Sequence, residues 1–351
     1  MSAPRRRISR KTLPHSLLAT AVVVVTAACT AAGAQAPKVL APTGALATSV
    51  PSGTTLVVAD QSESLQSVFA ASGEAQRLTT KVQYANFTGG PAILEAFRAG
   101  AAQLATVGDT PPIQAQAAAA GVVIVAALQR NPNSTRLAVA PGAGVSTLKD
   151  LRGKRLAYAE GTAQQAIVLR ALKKAGLTTQ DVKLTPLQLA DFPDAVRTGQ
   201  VDVAPLTEPN LTRLLQKTPG SSVLPVSETA GTGTGLSYLY ASTKALADPA
   251  RAAAIREYVQ HWVKAQQWVN THREQWVQRY YVAGQGISAA DGRRILSSYG
   301  RSTFPRLDDA LVARQQRTID LLHEVGQLPR RLPATEELDQ RFDAVVAEVA
   351  S

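Results

Sequence analysis

From residue 54 onward, short runs rich in β-branched residues alternate with amphipathic stretches of about ten residues. Few architectures accept that order. The runs are residues 54–60, 81–87, 104–107, 122–128 and 136–140, then a second series at 155–160, 181–187, 201–207, 222–226 and 236–241. Between them lie helix-like segments at 91–99, 112–119, 163–175 and 192–198. Strands separated by helical patterns predict βαβ units, mainly parallel sheets and the α/β class. Two series imply two lobes, with the switch expected at Pro141-Gly142-Ala143-Gly144, just past the fifth run. From about Pro249 the pattern turns helical. Ile255, Tyr258, Val259, Trp262, Val269, Trp276, Val277 and Tyr280 recur at helical spacing, which predicts a core-facing stripe rather than a sugar-stacking platform. Segments 289–297, 308–325 and 335–349 are also helix-like.

The first thirty residues carry a different signal. Arg5, Arg6, Arg7, Arg10 and Lys11 precede an apolar stretch at 17–25, and Thr26-Ala27-Ala28 stand directly before Cys29. That is the three-part layout of an export signal, too short for a membrane span. The small-residue triplet before the only cysteine resembles a bacterial lipobox, so residues 1–28 are expected as a signal peptide and Cys29 as a lipidation site. Residues 30–53, mostly Ala, Pro, Gly, Ser and Thr with one charge, Lys38, are expected as a tether holding the body outside the membrane.

Composition narrows the function classes. One cysteine excludes an intramolecular disulfide, and four scattered histidines favour no metal and no cofactor. The net charge of +11 falls to +6 from Cys29 onward once the five leader charges are set aside. No later basic run is interleaved with aromatics, so a nucleic-acid partner is not expected. No Gly-x-Ser-x-Gly, no His-Glu-x-x-His and no usable cysteine nucleophile occurs, and His261, His272 and His323 lie in the helical tail.

In open α/β sheets ligands bind beyond the carboxyl ends of the strands, where helix starts present unpaired N–H groups. Four such turns carry glycine, small hydroxyls or both: Asn86-Phe87-Thr88-Gly89-Gly90-Pro91, Gly108-Asp109-Thr110-Pro111-Pro112, Glu160-Gly161-Thr162-Ala163-Gln164-Gln165 and Thr207-Glu208-Pro209-Asn210. Each alone reads more readily as helix capping than as a ligand contact. Facing one another across a cleft, they would form an anion site. The run Gly231-Thr232-Gly233-Thr234-Gly235-Leu236-Ser237 precedes a strand and lacks the lysine of a P-loop, so it is expected as a flexible loop beside the cleft.

Three blocks carry a resemblance. NFTGGPAILEAFRAGAAQLATVGDTPPIQAQAA (86–118), LKDLRGKRLAYAEGTAQQAIVLRALKKAGL (148–177) and FPDAVRTGQVDVAPLTEPN (192–210) resemble the aliphatic sulfonate-binding proteins, within the nitrate/sulfonate/taurine group of ABC-importer substrate-binding proteins. The resemblance implies a two-lobed periplasmic-binding-protein-like fold of type II with the ligand cleft between lobes. Lobe 1 would be 54–140 plus 241–351 and lobe 2 would be 141–240, hinged near 140–144 and 238–241. It also implies no catalysis, a monomer, a small organic anion as ligand, and a permease with its ATPase as partners. The family's helix starts carry over onto Thr88, Gly89, Gly90, Asp109, Thr110, Gly161, Thr162, Ala163 and Gln164. Ser62 and Ser64 fall in the first-strand loop, and Glu208 falls where taurine binders place an acid toward the ligand's amino group. Alkanesulfonates, taurine, sulfate esters and nitrate all remain open as cargo. Two other classes stand beside this reading: an enzyme of the same fold acting on pyrimidine or thiamine precursors, and a secreted scaffold or sensor.

Overall fold

The computed structural model describes residues 44–350. The expected signal peptide, Cys29 and most of the tether lie outside the described residues. All ten runs form strands: β1 Thr55–Asp60, β2 Lys81–Asn86, β3 Leu104–Gly108, β4 Val122–Gln129, β5 Arg136–Val139, β6 Arg155–Tyr158, β7 Lys183–Pro186, β8 Val203–Leu206, β9 Ser222–Val223 and β10 Leu236–Ser242. The helices that follow them are α1 Ser64–Ser72, α2 Gly90–Arg98, α3 Pro111–Ala117, α4 Ala163–Ala175, α5 Phe192–Arg197 and α6 Asn210–Lys217. The sequence reading missed α1. Its Leu65, Val68 and Phe69 are buried at helical spacing, but the carboxylate that accepts its first N–H groups belongs to Asp60, four residues upstream.

Two five-stranded sheets form, ordered β2-β1-β3-β10-β4 and β7-β6-β8-β5-β9. They are mixed rather than mainly parallel. β1 pairs parallel with β2 and β3, and β6 with β7 and β8, whereas β10 runs antiparallel to β3 and β4, and β5 to β8 and β9. The cause is connectivity. Each sheet receives as its fourth strand the one strand that has just crossed from the other lobe, and that strand enters in the reverse direction.

This corrects the expected switch points. β5 was expected to close the first lobe, yet it pairs within the second sheet, so the first crossing is the segment 130–135, between β4 and β5. β10 returns to the first sheet, so the second crossing ends at Gly235 rather than near 240. The two crossings lie side by side, with the Arg130 N–H donating to the Gly235 carbonyl at 2.9 Å. The run at 231–237, expected as a loop beside the cleft, lines the cavity from 233 onward; residues 231–235 are also the return connection between lobes, and Leu236 and Ser237 open β10.

The helical tail is shared between lobes. The long helix Pro249–Thr271 buries Ile255, Tyr258, Val259, Trp262 and Val263 against the first sheet, with Tyr258 stacked on Phe69 at 4.6 Å. Aromatic pairs of this kind add to the area they bury. The helix Asp309–Glu324, expected on lobe 1, instead packs Ile319, Leu321 and Leu322 with the apolar faces of β5, β6 and α4. Its spacing predicted a buried stripe but not which lobe would receive it. Beyond it, Leu338, Phe342 and Val345 return to the first core. No helix among the described residues is long and apolar enough to cross a membrane.

Candidate binding cavity between the lobes

The carboxyl ends of both sheets converge on a cavity of about 380 Å³. Its walls come from the β1–α1 turn, the end of β3, the start of α4, both crossings, and the aromatic residues Trp276, Tyr280, Tyr281 and Tyr299.

The β1–α1 turn is built around Asp60, which is 1% exposed. Its carboxylate accepts from the N–H groups of Gln61, Leu65 and Gln66 and from the Ser64 hydroxyl. Burial nonetheless raises its pKa, against the lowering effect of those bonds. Ser62 and Glu63 stand at φ of 53° and 56°, two consecutive non-glycine residues in the left-handed region, a conformation that persists only where the surroundings enforce it. The Ser62 carbonyl accepts from Tyr280 Oη at 3.3 Å. Ser62 and Ser64 both line the cavity.

The helix starts behave differently from the expectation that glycines there admit a ligand. A Cβ on Gly108 would stand 2.6 Å from Ala163 Cβ, and one on Gly90 would stand 2.5 Å from Pro111 Cγ. Gly108 lets the two lobes approach each other, whereas Gly90 lets α2 pack against α3 of its own lobe. Thr162 caps α4, accepting from the Gln165 N–H at 3.4 Å and donating to the Ala159 carbonyl at 2.6 Å, so its one donor hydrogen is taken. Gly90, Thr162, Ala163 and Gln164 line the cavity. Thr88 and Gly89 line a second cavity of about 490 Å³ with residues of 186–191, and Thr162 touches both. Thr110 is buried and donates to Asp109, and the Gly161 N–H donates to Gln165 Oε1; neither lines a cavity.

Asp109, read from sequence as a cap, is 1% exposed and forms a 2.8 Å ion pair with Arg170 of α4. It also accepts from Thr234 Oγ1 at 3.0 Å, and its carbonyl accepts from Gln315 Nε2 at 2.9 Å. Gln315 in turn donates to Glu337, whose full burial raises its carboxyl to about 8. Glu208 lines the cavity; its Oε2 accepts from the Thr212 N–H and hydroxyl, and its carbonyl accepts from Tyr299 Oη.

Sequence reasoning missed Arg130, Arg170 and the aromatic wall. Trp276 and Tyr280 did stand in the helical stripe, and the far end of that stripe faces the cavity rather than the core alone. Arg130 directly follows a strand, the position searched elsewhere, but no glycine or hydroxyl residue adjoins it.

The family model for NMT1/THI5-like proteins matches residues 81–273, which span both sheets and the long helix. The chain belongs to the NMT1/THI5-like family. An Escherichia coli (strain K12) relative named for binding aliphatic sulfonates is 29% identical over 261 residues, 74% of this chain and 80% of its own. The crystal structure of the periplasmic aliphatic sulphonate binding protein of Escherichia coli superposes with a TM-score of 0.69 at 28% identity, covering 82% of this chain and 93% of that one. The alkanesulfonate-binding protein of Xanthomonas axonopodis pv. citri, bound to MOPS, reaches 0.74 at 24% identity, covering 83% and 99%. The desulfurization enzyme DSZB reaches 0.61 at 16% identity over 84% and 99%. These last two likenesses speak for the fold, a periplasmic-binding-protein-like one, and the sulfonate-binding relatives for a solute-binding role.

Proposed function

We propose that this member of the NMT1/THI5-like family captures a small organic anion, an aliphatic sulfonate, in the cavity between its lobes. It then delivers the anion to an ABC permease and its ATPase. The leader and Cys29 make it an exported, lipid-anchored monomer in this reading. The observation that carries the proposal is the cavity itself: both lobes and both crossings wall it, in a chain whose relatives are named for sulfonate binding. Its lining contains neither histidine nor cysteine, which favours capture over turnover.

Ser62, Ser64, Gly90, Asp109, Thr162, Ala163, Gln164 and Glu208 are the expected site residues that wall this cavity. Release of the ligand would bend the two adjacent crossings and lift Gly108 off Ala163, which touch in this closed arrangement. Glu208 would serve a ligand that also carries an ammonium group.

Thermal shift of the purified chain against alkanesulfonates of rising length, taurine, sulfate and nitrate tests this. A ligand at ~100 times its Kd stabilises by about 2.7 kcal/mol, which raises Tm by several degrees in a chain of this size. Stabilisation by sulfonates alone is the expected result. No shift with any of them discards the assignment in favour of a scaffold, and sulfonate turnover favours an enzyme.

A further inference from the structure

We propose that the anionic group of the ligand docks on Arg130 and the Tyr281 hydroxyl, at the aromatic end of the cavity, and not on the helix starts of α2 and α4. The proposal rests on the reading of this cavity as the anion site.

Two guanidinium groups line the cavity. Arg170 is held by Asp109. Arg130 donates from Nε to Ser302 Oγ at 3.2 Å and from Nη2 to Gln266 Oε1 at 2.8 Å, and it lies 5.5 Å from the centroid of the Tyr299 ring. Among the described residues it pairs with no carboxylate. A guanidinium offers five N–H donors in a planar fork that suits the oxygens of a tetrahedral anion, and here most of them remain for a ligand.

Two further donors belong to the same end. Tyr281 is 4% exposed and lines the cavity, yet its hydroxyl makes no hydrogen bond within the described residues. Gln266 is 6% exposed; its carbonyl oxygen is taken by Arg130 and its amide NH₂ has no partner among the described residues. Neither donor is sealed from water, so with Arg130 they present a cation and two open donors to an anion that enters the cavity their residues line. The backbone agrees. Tyr280 and Tyr281 sit in the π-helical stretch Val277–Gly284, a rare winding concentrated at functional sites. Trp276 stacks on Tyr280 at 4.6 Å, and Tyr281 meets Tyr280 edge-on at 5.2 Å. This apolar wall beside the cation fits a sulfonate with an organic body better than a bare inorganic anion.

The helix starts offer little in comparison. Gly90 rests on Pro111, Gly108 on Ala163, and the Thr162 hydroxyl has both a donor and an acceptor within its own turn.

Titration calorimetry of the full chain with 1-butanesulfonate and MOPS tests the assignment. Arg130→Gln is expected to weaken binding by about 10- to 100-fold, the range for loss of a charge-assisted hydrogen bond, and Tyr281→Phe by about 3- to 10-fold. Arg130→Lys, which keeps charge without the fork, should recover part of the loss. Tyr281→Phe removes one oxygen that has no protein partner, so it folds and reads out binding even where an Arg130 variant does not. Wild-type affinity in both Tyr281→Phe and Arg130→Gln overturns this proposal and leaves the sulfonate reading standing. So does a larger loss from Thr162→Ala than from either. A wild-type chain that binds neither probe overturns both.

Discussion

Arg170 and Arg130 line one cavity and are held in opposite ways. Arg170 reaches from α4 to a carboxylate on the β3–α3 turn, where Thr234 and Thr318 complete the shell, so it ties one lobe to the other. Arg130 stands on the crossing itself and meets only neutral oxygens and an aromatic face. One charge is consumed in building the closed arrangement and the other is left for what the arrangement encloses. Removing Arg170 should therefore be the most damaging change. Arg170→Ala strands the Asp109 carboxylate in a site 98% shielded from water, which costs about 3–5 kcal/mol where a buried pair loses one partner. Thermal denaturation should show a Tm lower by on the order of 10 °C. A loss under ~1 kcal/mol would mean the pair does not hold the lobes together.

The Arg170 side of the comparison is sharpened by Glu337. This carboxyl touches the same network through Gln315, whose amide bridges it to the Asp109 backbone carbonyl, while the guanidinium of Arg170 pairs with Asp109 alone. Burial raises Glu337 from 4.5 to about 8. A carboxyl whose folded pKa lies above its unfolded one contributes fully below the unfolded value, and that contribution declines as pH rises toward the folded value. Stability should thus fall between pH 4.5 and about 8, by on the order of 5 kcal/mol, and level off above. Chemical denaturation across that range should show a shallower slope for Glu337→Gln than for wild type. Equal slopes would show that Glu337 titrates as an exposed group does.

The same cavity wall includes the contact of Gly108 with Ala163. Gly108→Ala places two methyl groups 2.6 Å apart, an overlap that costs about 1–3 kcal/mol unless the lobes part. Ala163→Gly in the same chain should restore the stability, a coupling that a double-mutant cycle measures. Additive effects would show that these strand and helix ends do not meet.

How much of this was legible in advance follows from the range of the interactions. Each of the ten strands announced itself through its own β-branched run, and α4 through its cap residue Thr162. Lobe membership was not local. Residues 136–139 look like the run before them, and only pairing with β8 and β9 assigns them to the second sheet. The glycine-marked turns were found because capping chemistry is written in adjacent residues. Their partners were hidden, since Gly108 and Ala163 meet across 55 positions and a glycine that admits a neighbour reads like one that admits a ligand. Arg130 was invisible for the same reason. Nothing near it in sequence marks a cation without an anion; that property belongs to Gln266, Ser302 and Tyr299, more than 130 residues away.

The smallest expected effect is the most telling. Arg130→Gln removes two hydrogen bonds to neutral partners and a cation over a ring, and it strands no buried carboxylate. Its stability cost in the unliganded protein should be about 1 kcal/mol, several times less than that of Arg170→Ala. Equilibrium unfolding of the two variants side by side measures the ratio. A residue that adds little to the fold while occupying the half-buried crossing between lobes is one whose charge is held there for another molecule. A loss from Arg130→Gln as large as that from Arg170→Ala would place both arginines in the same structural role and remove the asymmetry between them.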